Sequence, residues 1–474
     1  MQHNLIDREK EWAFLEEAFQ KNKSQLIVIY GRRRVGKSFL SSRFVNKKNG
    51  VYFLCSKGNE REQLELLSIK LADHFNDPAV RITPFTKWHN LFQYLSEKIK
   101  KKPLIIEFDE FPYLINANPA IPSIFQKYWD EELSKSKVYI ILCGSSISMM
   151  ETEVLGYRSP LYGRRTGQWK LKPLYFKDVM KFFDKRHSLE QIIEVYSITG
   201  GMPYYLVGLD LKKTATDNIL EHIAKKGRPL LEEGEVLIRE ELPDATTYFS
   251  ILHAISNGET KQSEIANHIG MPATTITRYL TNLQRLNFIK KEVPVTEGKR
   301  SKKSIYSISD NFIRFWFRFI YPNRSYIEEE NSTRIREILK KGFILHVSRV
   351  FEEVCTQALC MEESIGHSSI GRWWGSYRDM KTNERKTAEI DIVVLNEEKN
   401  EIVYAECKWK EEVDVDDVLK KLKEKTVLVD WKTDKRKERF VIFAKSFKRK
   451  TEYSGVRLYD LNDLKNIFSR SQSN

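Results

Sequence analysis

The sequence predicts an α/β fold built on a parallel sheet, and three features predict it. Leu26 to Tyr30 is a five-residue apolar run that stops at Gly31, where a G-x-x-x-x-G-K-S loop begins and is closed by Gly36, Lys37 and Ser38. Leu104 to Phe108, apolar except at Glu107, is a second such run and is tipped by Asp109-Glu110. Around them, segments with helical spacing alternate with further short apolar runs, which is the pattern of βαβ units.

The glycine loop has the chemistry of anion capture. Phe39-Leu40 and Phe44-Val45 recur at helical spacing behind it, so strand, loop and helix follow in the order that a phosphate loop requires. Backbone N–H groups of the loop and of the helix N-terminus face phosphate oxygens. Lys37 adds a point charge for the β- and γ-phosphates, and Ser38 offers a hydroxyl to Mg2+. The expected ATP contacts are Gly31, Arg32, Arg33, Arg34, Val35, Gly36, Lys37, Ser38 and Phe39.

At 474 residues the chain is too long for one core, and its apolar and charged fractions are those of a folded protein. The 79 basic against 65 acidic residues, a formal +14, favour a polyanionic partner such as DNA. Five cysteines without CxxC spacing imply neither a disulfide framework nor a zinc site and fit a reducing cytoplasm. No apolar run approaches the ~18 residues of a membrane span.

Taken in order, Asp7 caps a first amphipathic helix carrying Trp12, Leu15 and Phe19, which either lids the base or is an ordinary surface helix. Val51 to Cys55 reads as a second strand, followed by helices over Glu60–Phe75 and Thr86–Ile99. In the strand Leu104–Phe108, Asp109 would hold Mg2+ through water and Glu110 would polarise the attacking water. A helix at Ile121–Leu133 leads to the strand VYIILCGSS, whose Ser145 can reach the γ-phosphate or its water. The loop before the strand Trp169–Leu171 carries Arg164 and Arg165, either aimed at a transferred phosphoryl group or merely solvated. Gly200-Gly201-Met202-Pro203 breaks the chain ahead of a helical lid.

Residues 262–270 and 272–286 then form two helices, the second exposing Thr274, Thr275, Thr277 and Arg278, and a basic β-wing runs up to Tyr306. This is a winged helix-turn-helix. Either Arg278, Arg285, Lys299, Arg300, Lys302 and Lys303 read DNA, or the wing is an intramolecular docking module. The aromatic stretch 310–319 packs a core. In the last domain a long helix over Lys340–Leu359 precedes strands at Gly371–Tyr377, Glu389–Leu395 and Glu401–Lys408. Asp391 ends one strand, and Glu406 and Lys408 share a face of the next. With Glu352 or Glu353 from the helix they form either a divalent-metal site or ordinary solvated charges.

These residues resemble the archaeal-type ATPases of the STAND branch of AAA+ proteins, through the D-R-E-K opening, GRRRVGKS, LIIEFDEF, LCGSS, SPLYGRRTG and the GGMP turn. DNFIRFWFRFIYPN and EID…AECKW resemble that family's C-terminal domain of unknown function, itself similar to PD-(D/E)XK nucleases. The resemblance implies a parallel-sheet AAA+-type ATPase core over 1–185, a helical lid over 186–243, a winged helix-turn-helix over 244–322 and a restriction-endonuclease-like α/β domain over 323–474. The nuclease signature's usual Pro-Asp pair is absent, because Ile390 precedes Asp391.

The expected protein is a cytoplasmic ATPase acting on or with DNA. Lys37, Ser38, Asp109 and Glu110 serve ATP and Mg2+. Glu352, Asp391, Glu406 and Lys408 serve phosphodiester cleavage, with Mg2+ or Mn2+ on Asp391 and Glu406. The alternative is an ATP-dependent regulatory switch whose C-terminal domain only docks partners. Expected partners are ATP and DNA, with a homo-oligomer left open and no membrane.

Overall fold

Short strands that are apolar on both faces need helices above and below them, and the computed structural model has that arrangement. It describes residues 6–101, 103–242, 244–298, 300–362, 365–379 and 382–470. The chain divides into two compact units, Met1–Leu174 with Met202–Tyr204, and Tyr175–Gly201 with Tyr205–Asn474.

The first unit is a sheet of five parallel strands: β1 (Gln25–Tyr30), β2 (Val51–Leu54), β3 (Leu104–Asp109), β4 (Val138–Gly144) and β5 (Gly167–Lys170). Their order is β2-β3-β4-β1-β5. β1, β3 and β4 are buried along their whole length, which explains their unbroken Ile, Leu and Val. Because β4 lies between β1 and β3, the end of the glycine-loop strand and the Asp109-Glu110 tip flank Ser145 at one sheet edge. The helix Glu60–Phe75 has the expected bounds and is capped by the Asn59 side chain. A short helix, Pro78–Ile82, follows it unforeseen, started by Asp77 and a proline. Asp7 does not cap the first helix, Glu9–Gln20. Arg8 occupies that position with φ 116°.

The second unit holds the helical, winged and C-terminal segments together. The helix-turn-helix is Gln262–Ile269, ended by Gly270 in the left-handed region, and Ala273–Arg285. Its wing is the antiparallel pair β6 (Ile289–Glu292) and β7 (Ile305–Ile308). The aromatic stretch is a helix, Asn311–Phe315, continued by a wider π turn over Trp316–Ile320, with Phe312, Phe315, Trp316 and Phe317 buried. That change of period is why it matches neither a helix nor a strand pattern.

A 30-residue helix, Ser332–Met361, leads into the second sheet. Its strands are β8 (Ser369–Arg378), β9 (Arg385–Asn396), β10 (Glu401–Lys408), β11 (Lys437–Ala444) and β12 (Val456–Tyr459), in the order β12-β11-β10-β9-β8. The first three are antiparallel and the last pairings are parallel, with the helix Val415–Thr426 crossing between β10 and β11. Asp391 does not end a strand. β9 extends six residues before it, to Arg385, where it forms a hairpin with β8.

Gly234 tests the aromatic core. A Cβ there would stand 2.3 Å from the Trp316 ring, whose Nε1 donates to the Leu231 carbonyl at 2.8 Å. Gly234→Ala should therefore destabilise the protein by about 1–3 kcal/mol, the usual cost of overpacking. Denaturant unfolding of the two proteins checks this, and an unchanged midpoint would show that the ring gives way freely.

Candidate nucleotide site and C-terminal acidic cleft

The glycine loop leaves β1 through Gly31, at φ 153°, with the Leu171 carbonyl so close that a Cβ would meet it at 2.4 Å. Gly36 begins the helix Lys37–Lys47 at φ 93°. Arg34, without a glycine's freedom, sits at φ 69°, and its guanidinium lies 3.9 Å from the Tyr204 ring centroid. Two carbonyls of the loop accept from side chains. Arg8 Nη2 donates to Val35 O at 3.1 Å and to Lys172 O at 2.9 Å, and the buried Lys37 Nζ donates to Arg32 O at 3.1 Å. Val35 is buried, Ser38 is partly covered and Phe39 is exposed under the Arg43 guanidinium.

Asp109 is held at the end of β3 by the Tyr52 hydroxyl, 2.6 Å away, and by the Glu110 N–H at 3.0 Å. Glu110 adopts φ 54°, a costly conformation for a non-glycine residue and one that gathers at functional sites. Its Oε2 accepts from Ser145 twice, from the backbone N–H at 3.0 Å and the hydroxyl at 2.8 Å. The hydroxyl of Ser38 and the carboxylate of Asp109 are hard oxygen donors of the kind Mg2+ takes. Glu107, two residues back on the same face of β3, is fully buried. Burial first, and the Asp109 charge second, push its pKa well above the carboxylate range. The hydrogen bonds of the two loop arginines go elsewhere: Arg164 forks onto Asp130, down to 2.8 Å, and Arg165 donates to Leu155 O.

Sequence reasoning missed Arg8, Tyr52 and Tyr204. The D-R-E-K opening contains Arg8, but nothing local indicates that its partners lie 27 and 164 residues away.

On the recognition helix Ala273–Arg285, Thr274, Thr275, Thr277 and Arg278 are exposed as expected, and so is Arg285. Gln262 Nε2 ties the two helices through Ala273 O and Thr277 Oγ1, both at 2.8 Å. Arg300 and Lys302 are exposed in the wing, and Lys299 lies outside the described residues. The wing is also fastened to β8: Val295 N–H donates to Arg372 O at 3.0 Å and Trp374 Nε1 to Lys303 O at 3.0 Å.

In the second sheet, the ladder between β9 and β10 ends at Ile392–Ala405. Across β8, the two residues Asp391 and Ile392 face Arg372 alone, a β-bulge in β9. The Cys407 N–H, left out of that ladder, donates instead to Asp391 Oδ2 at 2.8 Å. Lys408 Nζ stands 2.5 Å from Glu406 and 4.0 Å from Asp391, and Lys425 also pairs with Glu406. The two carboxylates thus share one face. They line an open cleft of about 1140 Å³ with Lys410, Lys421 and Lys448. Of the two helix carboxylates, Glu352 faces this group and Glu353 is taken by Arg314 at 2.8 Å.

Burial, then the Asp391 charge, push Glu352 up to about 8; burial, then Glu406, push Asp391 up to about 6. A carboxyl raised in the folded chain from its ordinary 4.5 stabilises the fold fully below that value, and the contribution is lost as pH climbs toward 8. In EDTA, Glu352→Gln should therefore melt higher than the wild type at pH 8 and together with it near pH 4.5. Parallel melting curves across that window would remove Glu352 from the cluster.

Comparison with known proteins finds three matching families. Residues 5–209 match an ATPase domain predominantly from Archaea, residues 246–292 an IclR helix-turn-helix domain, and residues 316–426 a family of archaea bacterial proteins of unknown function. Uncharacterized protein MJECL04 of Methanocaldococcus jannaschii is 36% identical over 466 residues, 97% of this chain and 99% of that one. Uncharacterized ATP-binding protein MJ0423 of the same organism is 46% identical over 44 residues, 9% of this chain and 75% of that one. Among solved structures, the Walker-type ATPase PABY2304 of Pyrococcus abyssi shares the fold, with a TM-score of 0.51 at 22% identity over 67% of this chain and 97% of that one. Among the described residues no helix is long and apolar enough to cross a membrane. This chain belongs to the family of MJECL04, P-loop ATPase-domain proteins with a helix-turn-helix and a C-terminal sheet domain.

Proposed function

We propose that the chain is an ATP-hydrolysing switch that acts on DNA through its helix-turn-helix. The observation carrying this reading is the Glu110–Ser145 pair, beside a glycine loop whose Val35 and Arg32 carbonyls are held by Arg8 and Lys37. Backbone N–H groups of such a loop and of its helix N-terminus take phosphate oxygens. Lys37 would leave Arg32 O for the β- and γ-phosphates. Ser38 and Asp109 would hold Mg2+, which neutralises charge on the phosphate oxygens when bound. Glu110 would orient the attacking water and accept its proton, once it exchanges one Ser145 hydrogen bond for that water. Arg164 and Arg165 remain candidates for γ-phosphate contact in an assembly, after release from Asp130 and Leu155.

Two substitutions separate binding from turnover. Lys37→Ala should weaken ATP binding at least tenfold, since a charge-assisted hydrogen bond contributes roughly 1.5–3 kcal/mol. Glu110→Gln should keep ATP affinity and lose hydrolysis. Nucleotide titration beside a phosphate-release assay measures both, and wild-type turnover in the Glu110 variant would remove its role. Arg8→Ala, which touches no phosphate, should also raise the Kd for ATP by releasing the Val35 carbonyl.

A second reading concerns the C-terminal cleft, favoured by the bulge that aims Asp391 at the Cys407 N–H beside Glu406 and Lys408. Asp391 and Glu406 would bind Mg2+ or Mn2+, and Lys408 would counter charge on a scissile phosphate. Asp391→Ala should then abolish metal-dependent cleavage of plasmid DNA and spare ATP hydrolysis. If the wild type leaves plasmid intact with either ion, the domain is a docking module, the role to which the fastened wing also points.

A further inference from the structure

A smaller cavity, of 250 Å³, lies behind Asp391 within the second unit. Its walls come from the wing strands (Lys290, Glu292 and Ser307), the aromatic helix (Arg314), the long helix (Arg349, Glu352 and Glu353) and β8 (Arg372). Three guanidinium groups from three different elements therefore meet around one space. Arg314 is more than nine-tenths buried; its Nη2 serves Ile308 O and Glu353, while Nη1 is buried without a partner. Arg372 Nη2 reaches Glu389 at 3.2 Å, while its buried Nε has no hydrogen bond and lies 3.9 Å from Glu352. Arg349 has no hydrogen bond or ion pair among the described residues. Burial, then the charges of Arg314 and Arg372, hold it below the usual arginine range.

Guanidinium donors that converge while unpaired are costly unless an anion joins them. Of the cavity's four carboxylates, Glu352 comes to 3.9 Å from Arg372 Nε without a hydrogen bond, and the other three are engaged elsewhere. Glu292 is bound by Lys290 and Ser307, Glu353 by Arg314, and Asp391 turns to the Cys407 N–H. What stays open is Arg349 with one unmade donor each from Arg314 and Arg372. Planar forks arriving from three directions suit the several oxygens of a tetrahedral oxyanion better than a chloride or a flat carboxylate. The volume is below the roughly 300 Å³ at which sites for whole small molecules begin, so a phosphate group fits and a complete nucleotide does not.

We propose that Arg314, Arg349 and Arg372 form a phosphate-binding site at the base of the wing, separate from the glycine loop. It takes either free phosphate or the terminal phosphate of a nucleic-acid strand. The site needs neither ATP nor metal, so it stands or falls apart from the readings above.

The test uses the full chain with Lys37→Ala, which silences the glycine loop, in EDTA, with inorganic phosphate titrated calorimetrically. One saturable site is expected, and adding Arg349→Gln or Arg372→Gln should weaken it tenfold or more. Correct folding of each variant is established by unchanged ATP binding where Lys37 is intact. An oligonucleotide with a 5′-phosphate, compared with its 5′-hydroxyl form, distinguishes the source. Tighter binding of the phosphorylated strand, lost in Arg349→Gln, assigns the site to strand ends, whereas equal binding assigns it to free phosphate. No saturable phosphate binding, binding untouched by both arginine changes, or binding that requires Mg2+ and disappears in Asp391→Asn would each overturn the proposal.

Discussion

A phosphate loop works only if its N–H groups face inward, and that forces its carbonyls outward, where something must accept them. Here much of that task falls to Arg8. Its single guanidinium bonds Val35 O within the loop, Lys172 O beyond β5, and Glu11 one turn along its own helix. The loop is pressed from the other side at Gly31, where the Leu171 carbonyl excludes any side chain. Lys37 closes the set by holding Arg32 O until a phosphate competes for it. The curvature of the nucleotide site is therefore imposed by segments far apart in sequence. This accounts for an arginine, rather than the expected aspartate, at the start of the first helix: the helix gives up its side-chain cap so that the loop can be fixed.

What the sequence made legible follows the range of the forces involved. Apolar runs and local caps are short-range signals, so β1, β3, β4 and the helix Glu60–Phe75 could be read directly, as could the Gly270 stop of the helix-turn-helix. The convergence of Asp109, Glu110 and Ser145 was readable because the tips of neighbouring parallel strands, here β3 and β4, lie at the same end of the sheet. Arg8, Tyr52 and the Arg34–Tyr204 contact were not, since each depends on register between separate elements. The same holds for Asp391. The sequence pattern set it beside Glu406 across the hairpin, but the strand continues past it, and the bulge that aims it needs β8 as a reference.

The wing shows how one basic segment can serve two ends. The sequence left open whether it reads DNA or docks within the chain. The backbone of Val295 and the carbonyl of Lys303 are nevertheless committed to β8, the edge strand of the second sheet. An edge strand exposes unpaired backbone groups that invite aggregation. Here the wing covers part of that edge and keeps Arg300 and Lys302 outside. Motion of the wing would thus be felt at Arg372, which is also the residue opposite the Asp391 bulge. The wing and the Asp391 bulge both adjoin one strand, β8.

Two of the buried carboxylates, Glu107 and Glu406, are handled in opposite ways, and the contrast bears on what each can bind. Among the described residues no cation offsets Glu107, so burial drives it toward the neutral acid, next to Asp109. Glu406 is almost as buried, yet Lys408 and Lys425 outweigh the effect of burial and hold it below the usual carboxylate range. Removing one member of such a group leaves an uncompensated charge, a loss of about 3–5 kcal/mol for a buried pair. A divalent cation arriving at Asp391 and Glu406 must therefore displace at least one ammonium from oxygens it already satisfies. Lys425, carried by the helix Val415–Thr426, is the more separable of the two, because Lys408 shares the strand of Glu406. On the proposed metal-binding reading, a cation at this pair would compete with Lys425 first.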